Sequence, residues 1–437
     1  MASLRALTAR AMARAMLAGP PTERGLAARL AGCLGRRSGW TQALAERAAR
    51  WPAERWWHWS PRTLGRWIEA DPGYQAAWLA HEPPFVRHYI QRPRRTLPPP
   101  PLGLDHLELP NWPHLGALAA GLGLTPAGLW RLTKPAAWQR RDALIEQHHR
   151  FHLMAKRSGG FRLLEVPEPH LMALQRRLLE LLLSRLPPHE AACGFVRGRS
   201  VREHAAAHAG QPVLLCFDLQ DFFASVRASR VQALFSTLGH GDEVARALTA
   251  LCTVATPEPV LARLREDGSL SWEQAQRHRD PHLAQGAPSS PALANLCAFG
   301  LDLRLAAFAQ TLGARYTRYA DDLVFSGPPS LRDARGRIEA WVGRIAHDEG
   351  FALNHRKTRC RGASRRQQVC GVVVNRHPNL PRAAFDRLKA ELHHAQREPA
   401  AADRERLRGH VAWAAQLNPA KAQRLQRQFD AIAWPAR

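Results

Sequence analysis

Apolar residues recur every three or four positions through much of the chain, which is the spacing of an amphipathic helix. The clearest example is HLMALQRRLLELLLSRLPPH, residues 170–189. This helix is predicted to end before Pro187 and Pro188, because proline lacks the backbone N–H that a helix interior needs. The same period predicts further helices over residues 1–90, to about 150, from about 291 to 312, over 331–351 and after 380.

Short apolar runs between these helices predict strands. VLLCFD at 213–218 ends in an aspartate, and RYTRYADDLVFSG at 315–327 is predicted to form two strands around Asp321. RSGGFRLLEVPEP at 157–169 has the character of a hairpin, and QQVCGVVVN at 367–375 that of a strand. Because strands and helices alternate along this part of the chain, we expect an α+β fold.

The first 91 residues are predicted to form a separate helical extension. They contain seven tryptophans between Trp40 and Trp78. Such side chains next to arginine could stack on bases, but we favour the core of a small helical domain, where large aromatic side chains usually lie. The stretch RPRRTLPPPPLG then predicts a linker over 92–112, because proline fixes the backbone and removes a hydrogen-bond donor.

The charge of the chain is strongly positive. Lysine and arginine number 62 against 37 acidic residues, which gives a net charge of +25. This excess favours a nucleic-acid partner. The seven cysteines form no CxxC pair, so neither a zinc knuckle nor a disulfide framework is indicated, and a reducing cytoplasm is expected. No run of 18 apolar residues occurs, so no membrane span is expected.

Carboxylates stand at the ends of two predicted strands. Asp218 follows one apolar run, and Asp321 and Asp322 lie side by side in the other. Paired aspartates often form only a turn or a helix N-cap. Here, however, apolar residues on both sides bring acids from two strands to fixed places, where unpaired charges would be costly. Bound Mg²⁺ would remove that cost, and two such ions could serve phosphoryl transfer.

The segments around these acids resemble the motifs of reverse transcriptases, in the order and spacing of that family. In chain order they are GFVRGRSV (194–201), FDLQDFFASV (217–226), QGAPSSPALANL (285–296), YADDLVF (319–325), LNHRKTR (353–359) and VCGVVVN (369–375). The second resembles the motif of the first catalytic aspartate, and YADDLVF the YxDD active-site hairpin. FFASV, QGAPSSPALANL and LRGHVAWAAQLNP (407–419) look like those of bacterial retron enzymes in particular.

The resemblance implies a right-hand polymerase with fingers, palm and thumb. Fingers and palm would occupy residues 113–345, and a primer grip followed by a basic helical thumb would occupy 346–437. The N-terminal α-helical extension at 1–91 and the linker at 92–112 would precede them.

The resemblance also implies a metal centre. Asp218 and Asp321 would hold two Mg²⁺ ions, and Asp322 would complete the acidic centre. The backbone carbonyl of Leu219 would be a further metal ligand.

Other residues would contact the incoming nucleotide. Phe223 would exclude a ribose 2′-OH and so select dNTPs; Phe222 is the neighbouring candidate, and both rings could simply be core. Gln285 and Gly286 would lie beside the nucleotide, with glycine permitting close approach, although this segment could be only a tight turn.

Three basic residues are candidates for phosphate binding. Arg162, helped by Lys156, would hold the triphosphate, since arginine binds phosphate through two hydrogen bonds. A solvated surface position is the alternative for Arg162. Lys357 matches the position of a general acid for pyrophosphate, with simple phosphate contact as the alternative.

Two departures from the retron pattern affect RNA recognition. The element HAAAH places His204 where asparagine is expected, with His208 kept, and Val369, Cys370 and Gly371 stand where Val-Thr-Gly is expected. These residues are the candidates for recognising the cognate RNA.

Histidine pairs also raise the question of zinc. His204 and His208 are four residues apart, as zinc ligands on a helix can be, and HHRFH occurs at 148–152. No third ligand is evident near either group, so we do not expect either to bind metal.

We therefore expect an RNA-directed DNA polymerase that uses dNTPs and two Mg²⁺ ions and holds an RNA–DNA hybrid. Retron resemblance implies a structured noncoding RNA as template and primer, a branched RNA–DNA product, and anti-phage defence with a separate effector protein. Another bacterial reverse transcriptase, of the group II intron or abortive-infection type, is one alternative. A non-catalytic RNA-binding protein on the same fold is the other.

Overall fold

The structure is a computed structural model that describes residues 3–52, 55–56, 59–80, 83–90, 107, 109–133, 148–155 and 161–435. The chain forms two compact units. The first comprises Met1–Ala143 and Gln232–Leu251, and the second comprises Leu144–Val231 and Cys252–Arg437. Most of the predicted linker, and Lys156, lie outside the described residues, and the predicted domain boundaries stay predictions.

The described helices are numbered in chain order. They are α1 (Leu4–Met16), α2 (Glu23–Leu34), α3 (Gly39–Ala49), α4 (Pro61–Glu69), α5 (Pro72–Leu79), α6 (Leu115–Leu122), α7 (Pro126–Thr133), α8 (Pro169–Leu181), α9 (Val201–Ala207), α10 (Phe222–Ser225), α11 (Ala228–Thr237), α12 (Asp242–Cys252), α13 (Glu258–Glu266), α14 (Trp272–Arg279), α15 (Ser290–Cys297), α16 (Phe299–Thr311), α17 (Ser330–Asp333), α18 (Arg335–Asp348), α19 (Arg382–Arg397), α20 (Arg404–Leu417) and α21 (Pro419–Asp430). Short 3₁₀ turns occur at Leu183–Arg185, His355–Lys357 and Pro399–Ala401.

The described strands form small antiparallel sheets. They are β1 (His149–Ala155), β2 (Phe161–Pro167), β3 (Val213–Asp218), β4 (Thr253–Val254), β5 (His282–Leu283), β6 (Arg315–Tyr319), β7 (Asp322–Gly327), β8 (Arg359–Gly362), β9 (Gln368–Val369) and β10 (Val372–Val373). The largest sheet has the strand order β6-β7-β3-β8, while β1 pairs with β2, β4 with β5 and β9 with β10.

The N-terminal helices of the first unit bury the apolar faces that their sequence predicts. Met12, Met16, Leu26 and Leu30 are fully buried in their shared core. The described tryptophans of this region pack against that core; they are Trp40, Trp51, Trp56, Trp59, Trp67 and Trp78. Their rings also contact one another, as in the 4.6 Å approach of the Trp51 and Trp67 centroids. These contacts agree with the prediction of a helical core rather than a base-stacking surface.

The four-stranded sheet is the centre of the second unit. Strand β3, one of its two inner strands, is almost wholly buried because VLLCF is apolar on both faces. β3 pairs with β7 so that Asp218 lies opposite Asp322, and with β8 so that Val213 lies opposite Gly362. The strand ends that carry the acids therefore meet at one edge of the sheet.

The predicted helix from 291 to 312 is interrupted. It forms α15 and α16, bent by 50°. At the break, the guanidinium of Arg230 donates a hydrogen bond of 2.6 Å to the carbonyl of Cys297, the last residue of α15. This carbonyl is thus bonded by a distant side chain, a contact that periodicity does not predict. Among the described helices none alone is long and apolar enough to span a membrane, although α15 and α16 together meet that requirement.

Two other predicted elements are also divided. The helix predicted over 331–351 forms α17 and α18, which meet at Ala334. The strand predicted over 367–375 is a hairpin, β9 and β10, with Cys370 and Gly371 in its turn. Both turn residues have positive φ, +45° for Cys370 and +84° for Gly371, as a type I′ hairpin turn requires.

The C-terminal helices α19, α20 and α21 form a bundle with its own core. Leu392, Leu407, Val411 and Leu425 are at its centre. Asp403 and Asn418 cap the N-termini of α20 and α21 by accepting backbone N–H bonds. The bundle agrees with the helices predicted for this region.

Candidate active site

The three predicted catalytic acids meet where β3 ends and β7 begins. Asp218 closes β3, Asp322 opens β7 directly opposite it, and Asp321 lies in the two-residue turn between β6 and β7. The backbone N–H of Leu219 donates to the carbonyl of Asp321 at 2.8 Å, which fixes the turn against the end of β3. Residues about 100 positions apart in sequence thus form one acidic centre.

The turn that carries Asp321 is held in a strained conformation. Ala320 has φ of +55°, a left-handed conformation that costs free energy for a residue with a side chain. Gly194 packs against this turn so closely that a Cβ atom there would lie 2.7 Å from the Ala320 nitrogen. Glycine at 194 is therefore needed for the approach.

A buried arginine supports the same turn. Arg318 and Asp302 form an ion pair of 2.6 Å in which both side chains are fully buried. Arg318 also donates to the carbonyl of Ala320 at 3.1 Å and to the side-chain oxygen of Asn295 at 2.9 Å. Asn295 in turn donates to the carbonyl of Gly194 at 2.8 Å. This network links the turn of the active-site hairpin to helices α15 and α16.

Burial and like charges raise the pKa values of Asp321 and Asp322. Burial, followed by the charge of Asp218, raises the pKa of Asp321. Burial, followed by Asp321 and Asp218, raises the pKa of Asp322 to about 6. Lys357 provides partial compensation, because its ammonium lies 2.7 Å from the Asp218 carboxylate. The centre therefore favours a bound cation, which would relieve the remaining repulsion.

The two candidate phenylalanines occupy different environments. Phe222 is 4% exposed and stacks on Phe351, with ring centroids 5.6 Å apart. Phe223 is half-buried, and its ring lies 6.1 Å from that of the exposed Phe195. Phe222 is thus a core residue, and Phe223 is the more accessible of the two.

Gln285 and Gly286 pack on strand β2 of the β1–β2 hairpin. The carbonyl of Gln285 accepts the Glu165 N–H at 2.8 Å. Gly286 has φ of +130°, and a Cβ atom there would lie 3.2 Å from Val166. Arg162 is exposed on the same strand, and its charge opposes the rise in the pKa of Asp321. Lys156 lies outside the described residues.

The predicted RNA-recognition residues lie around the four-stranded sheet of β6, β7, β3 and β8. His208 is buried between the hydroxyls of Ser326 and Thr317, 2.7 Å from each, and His204 lies 2.7 Å from Thr317. Burial lowers the pKa of His204 to about 4 and that of His208 to about 3. Their hydrogen-bonded ring nitrogens thus face hydroxyl groups and not a shared metal position, and any effect on RNA would be indirect.

The hairpin of β9 and β10 approaches the acidic centre. Val369 is buried, whereas Cys370 is half-buried in the turn beside Gly371. The Cys370 sulfur lies 3.9 Å from a carboxylate oxygen of Asp322. Burial, followed by that charge, raises the pKa of the Cys370 thiol.

Sequence reasoning missed two buried charge networks. One is the Arg318–Asp302–Asn295 network, for which the signal was an arginine on the inward-facing side of a short strand. The other joins Glu165 with His278 and His282, all buried in the second unit. His278 and His282 are four residues apart, but Glu165 is more than 100 residues from both, so no local pattern joins all three.

Comparisons with known proteins confirm the resemblance to reverse transcriptases. Residues 154–374 match the family model described as reverse transcriptase (RNA-dependent DNA polymerase). The retron Mx65 reverse transcriptase of Myxococcus xanthus is 40% identical over 338 residues, which cover 76% of this chain and 75% of that protein. The retron Mx162 reverse transcriptase of the same organism is 35% identical over 334 residues, which cover 72% of this chain and 66% of that protein.

Solved structures add little to this comparison. A telomerase of Candida tropicalis is similar with a TM-score of 0.36 and 13% identity, covering 71% of this chain and 59% of that one. A likeness at that level carries no argument about the chemistry of the site.

Proposed function

The chain belongs to the reverse transcriptase family and, within it, to the retron reverse transcriptases, and from that premise we propose that it copies part of a structured noncoding RNA into DNA. Its activity is RNA-directed DNA polymerisation. The proposed template is also the primer: synthesis begins at a 2′-hydroxyl of the RNA, so the product is a branched RNA–DNA molecule.

The observation that carries the proposal is the convergence of three carboxylates with too little positive charge to balance them. Asp218, Asp321 and Asp322 offer the oxygen ligands that Mg²⁺ prefers. These residues, with the Leu219 carbonyl, would hold two Mg²⁺ ions. Such ions supply charge stabilisation at the attacking and leaving oxygens of a phosphoryl transfer.

The remaining site residues are proposed to orient the nucleotide. Phe223 would exclude the ribose 2′-OH by volume, and Gln285 with Gly286 would form the surface behind the base. Arg162 would bind the triphosphate, together with Lys156. Lys357, already paired with Asp218, would contact or protonate the leaving pyrophosphate.

The basic C-terminal bundle is proposed to hold the RNA–DNA hybrid. Its helices expose the basic side chains Arg404, Arg406, Arg408, Lys421, Arg424 and Arg427. Contacts of this kind give affinity without reading base sequence, and they weaken as salt displaces them. His204, His208 and the hairpin turn at Cys370 would tune which RNA is accepted.

The cellular part of the proposal follows from the retron relationship. A separate effector protein would act with the branched product in anti-phage defence. A cytoplasmic location is part of the same proposal, and all seven cysteines are free, which fits a reducing compartment.

The nucleic acid that copurifies with the chain tests the proposal. We expect RNA covalently joined to single-stranded DNA, so that RNase digestion leaves DNA with a short, branched RNA remnant. Preparations of Asp321→Asn should contain the RNA without the DNA. Unbranched DNA extended from an RNA 3′ end would instead indicate another type of bacterial reverse transcriptase. RNA alone in both preparations, with no primer extension, would indicate a non-catalytic RNA-binding protein.

A further inference from the structure

We propose that Glu165, His278 and His282 bind one structural zinc ion, at a site separate from the acidic centre. These three residues are called the histidine cluster below. They come from β2, the end of α14 and the start of β5, all within the second unit.

The spacing of the ligand atoms fits a single ion. The Nδ1 atom of His278 and the Nε2 atom of His282 each lie 3.1 Å from one carboxylate oxygen of Glu165, and these nitrogens lie 3.2 Å apart. Two ligands about 2.0–2.1 Å from a tetrahedral ion are roughly 3.3 Å from each other. The cluster thus forms one face of a tetrahedral coordination site.

Hydrogen bonds around His282 orient its free lone pair toward that face. Its Nδ1 atom lies 2.7 Å from the carbonyl of Asp280, which can only accept, so this nitrogen carries the hydrogen. In the neutral ring the Nε2 atom then has no hydrogen, yet it faces a carboxylate and a second imidazole. Metal-binding histidines commonly show this arrangement, with the distant ring nitrogen bonded to a backbone carbonyl.

The carboxylate is oriented in the same way. The Thr256 hydroxyl donates to Glu165 at 2.5 Å, and Glu165 is fully buried. The carboxylate is therefore held in a fixed orientation toward the two imidazole rings.

A third imidazole is the candidate for the fourth ligand. His149 is only 9% exposed, and its Nε2 atom has no hydrogen-bond partner among the described residues. In the β1–β2 register Phe151 pairs with Glu165, so His149, two residues earlier, projects from the same face as Glu165. The group of ligand atoms that lie within 4.8 Å of one another consists of Glu165, His278 and His282. We therefore propose that the His149 side chain turns toward these three residues when the ion binds and takes the fourth coordination position.

The ligand set selects zinc over the ions of the acidic centre. Imidazole nitrogens suit Zn²⁺, whereas Mg²⁺ prefers oxygen ligands and octahedral geometry. A buried site with four protein ligands is a structural site, since a catalytic zinc keeps one position open. The site also contacts Gln285, one of the residues proposed to lie beside the nucleotide. The Glu165 carboxylate accepts the Gln285 N–H at 3.4 Å, and the Glu165 N–H donates to the Gln285 carbonyl.

The competing explanation is a metal-free ion pair between Glu165 and a protonated His282. Metal content separates the two. The full chain, purified without a polyhistidine tag and dialysed against metal-free buffer, is expected to retain about one zinc per chain by elemental analysis. Replacement with Co²⁺ should produce the visible absorption of a tetrahedral cobalt site.

Variants locate the ion. His282→Ala and Glu165→Gln should lose the zinc, and His149→Ala should weaken zinc affinity by about 10-fold or more. His189→Gln is the matched control, since His189 is a buried histidine outside the cluster and this variant should keep the ion. Asp321→Asn should also keep the zinc, so a failure of the catalytic assignment would not affect this result.

Thermal unfolding of the wild-type chain gives a second readout that does not depend on any variant. Strong chelation should lower the Tm by several degrees, and Zn²⁺ but not Mg²⁺ should restore it. Two results together would overturn the proposal. The wild-type chain would hold less than about a tenth of a zinc per chain, and its Tm would change neither with chelator nor with Zn²⁺. Zinc retained in both His282→Ala and Glu165→Gln would overturn the assignment of its ligands.

Discussion

The acidic centre and the histidine cluster both gather ionisable side chains in the second unit, but they balance charge in opposite ways. In the acidic centre, burial and neighbouring acids raise the pKa of Asp322 to about 6. In the histidine cluster, the buried carboxylate of Glu165 faces the ring nitrogens of His278 and His282 and no other acid of the cluster. The first site gathers like charges, whereas the second pairs one acid with two imidazoles.

Accessibility separates the two sites as well. Lys357, the counter-charge of the acidic centre, is about half exposed, and Asp321 and Asp322 are half-buried at strand ends. Glu165 and His282 are fully buried, and His278 is nearly so. An open site short of positive charge suits ions and substrates that come and go, while a closed and balanced site suits a permanent structural role. The predictions below test this contrast.

The largest effect is expected from neutralising one acid of the open site. Asp321→Asn should lower kcat for primer extension by about 10³-fold or more, roughly 4 kcal/mol in activation free energy. Folding should be unaffected or slightly strengthened, because a repelling charge is removed. Asp333→Asn, at an exposed position in α17, is the control and should extend primers normally. Activity of the Asp321 variant within tenfold of wild type would contradict the catalytic role.

The buried ion pair of Arg318 and Asp302 should affect the stability of the protein rather than the binding of ions. Arg318→Met leaves Asp302 buried without its partner and should lower the free energy of unfolding by about 3–5 kcal/mol. Arg304→Met breaks only the exposed contacts with Asp348 and Glu349 and should cost far less. Chemical denaturation of both variants tests the difference. If both variants lost the same free energy of unfolding, burial of the Arg318–Asp302 pair would not make it more important for stability than an exposed pair.

Buried neutral histidines predict acid sensitivity. The pKa values of His204 and His208 are lowered to about 4 and about 3, below the ordinary value near 6.5. Such groups contribute full stability above pH 6.5 and lose it as the pH falls toward the folded-state pKa values, because the unfolded chain binds protons first. Each should cost about 2 kcal/mol between pH 7 and pH 5.

Unfolding measured at pH 7 and at pH 5 checks this effect. The drop between the two values should be smaller in His208→Gln than in wild type. His355→Gln, which removes an exposed histidine, should show the wild-type drop. An identical drop in all three chains would mean that His208 is not held neutral.

The smallest expected effect is on the Mg²⁺ requirement of the enzyme, because protons compete with the metal for the carboxylates of the acidic centre. Because the pKa of Asp322 is raised to about 6, protonation below that pH should weaken Mg²⁺ binding. The Mg²⁺ concentration that gives half-maximal primer extension should therefore rise by up to about tenfold between pH 6 and pH 5. A requirement for Mg²⁺ that stays constant over this range would argue that Asp322 is already ionised or does not bind the metal.

The sequence predicted the open site better than the closed one. The acidic centre lies at the ends of two strands whose apolar runs and adjacent aspartates are visible locally, and its family motifs are intact. The histidine cluster draws on residues more than 100 positions apart, and HHRFH was set aside because its third ligand is not nearby in sequence. Periodicity likewise missed the break between α15 and α16, where Arg230 binds the carbonyl of Cys297. Local pattern predicted the elements, whereas tertiary contacts decided where they are interrupted.

The central claim is that Asp218, Asp321 and Asp322 form a metal centre for DNA synthesis. Anomalous scattering from Mn²⁺ in crystals of the chain with an RNA template, a primer and an unreactive dNTP analogue tests this claim most directly. The account predicts two ions, both within coordination distance of the carboxylates of Asp218 and Asp321 and of the triphosphate. A complex with the nucleotide bound and paired to the template, but with Asp218 out of reach of any ion, would contradict it.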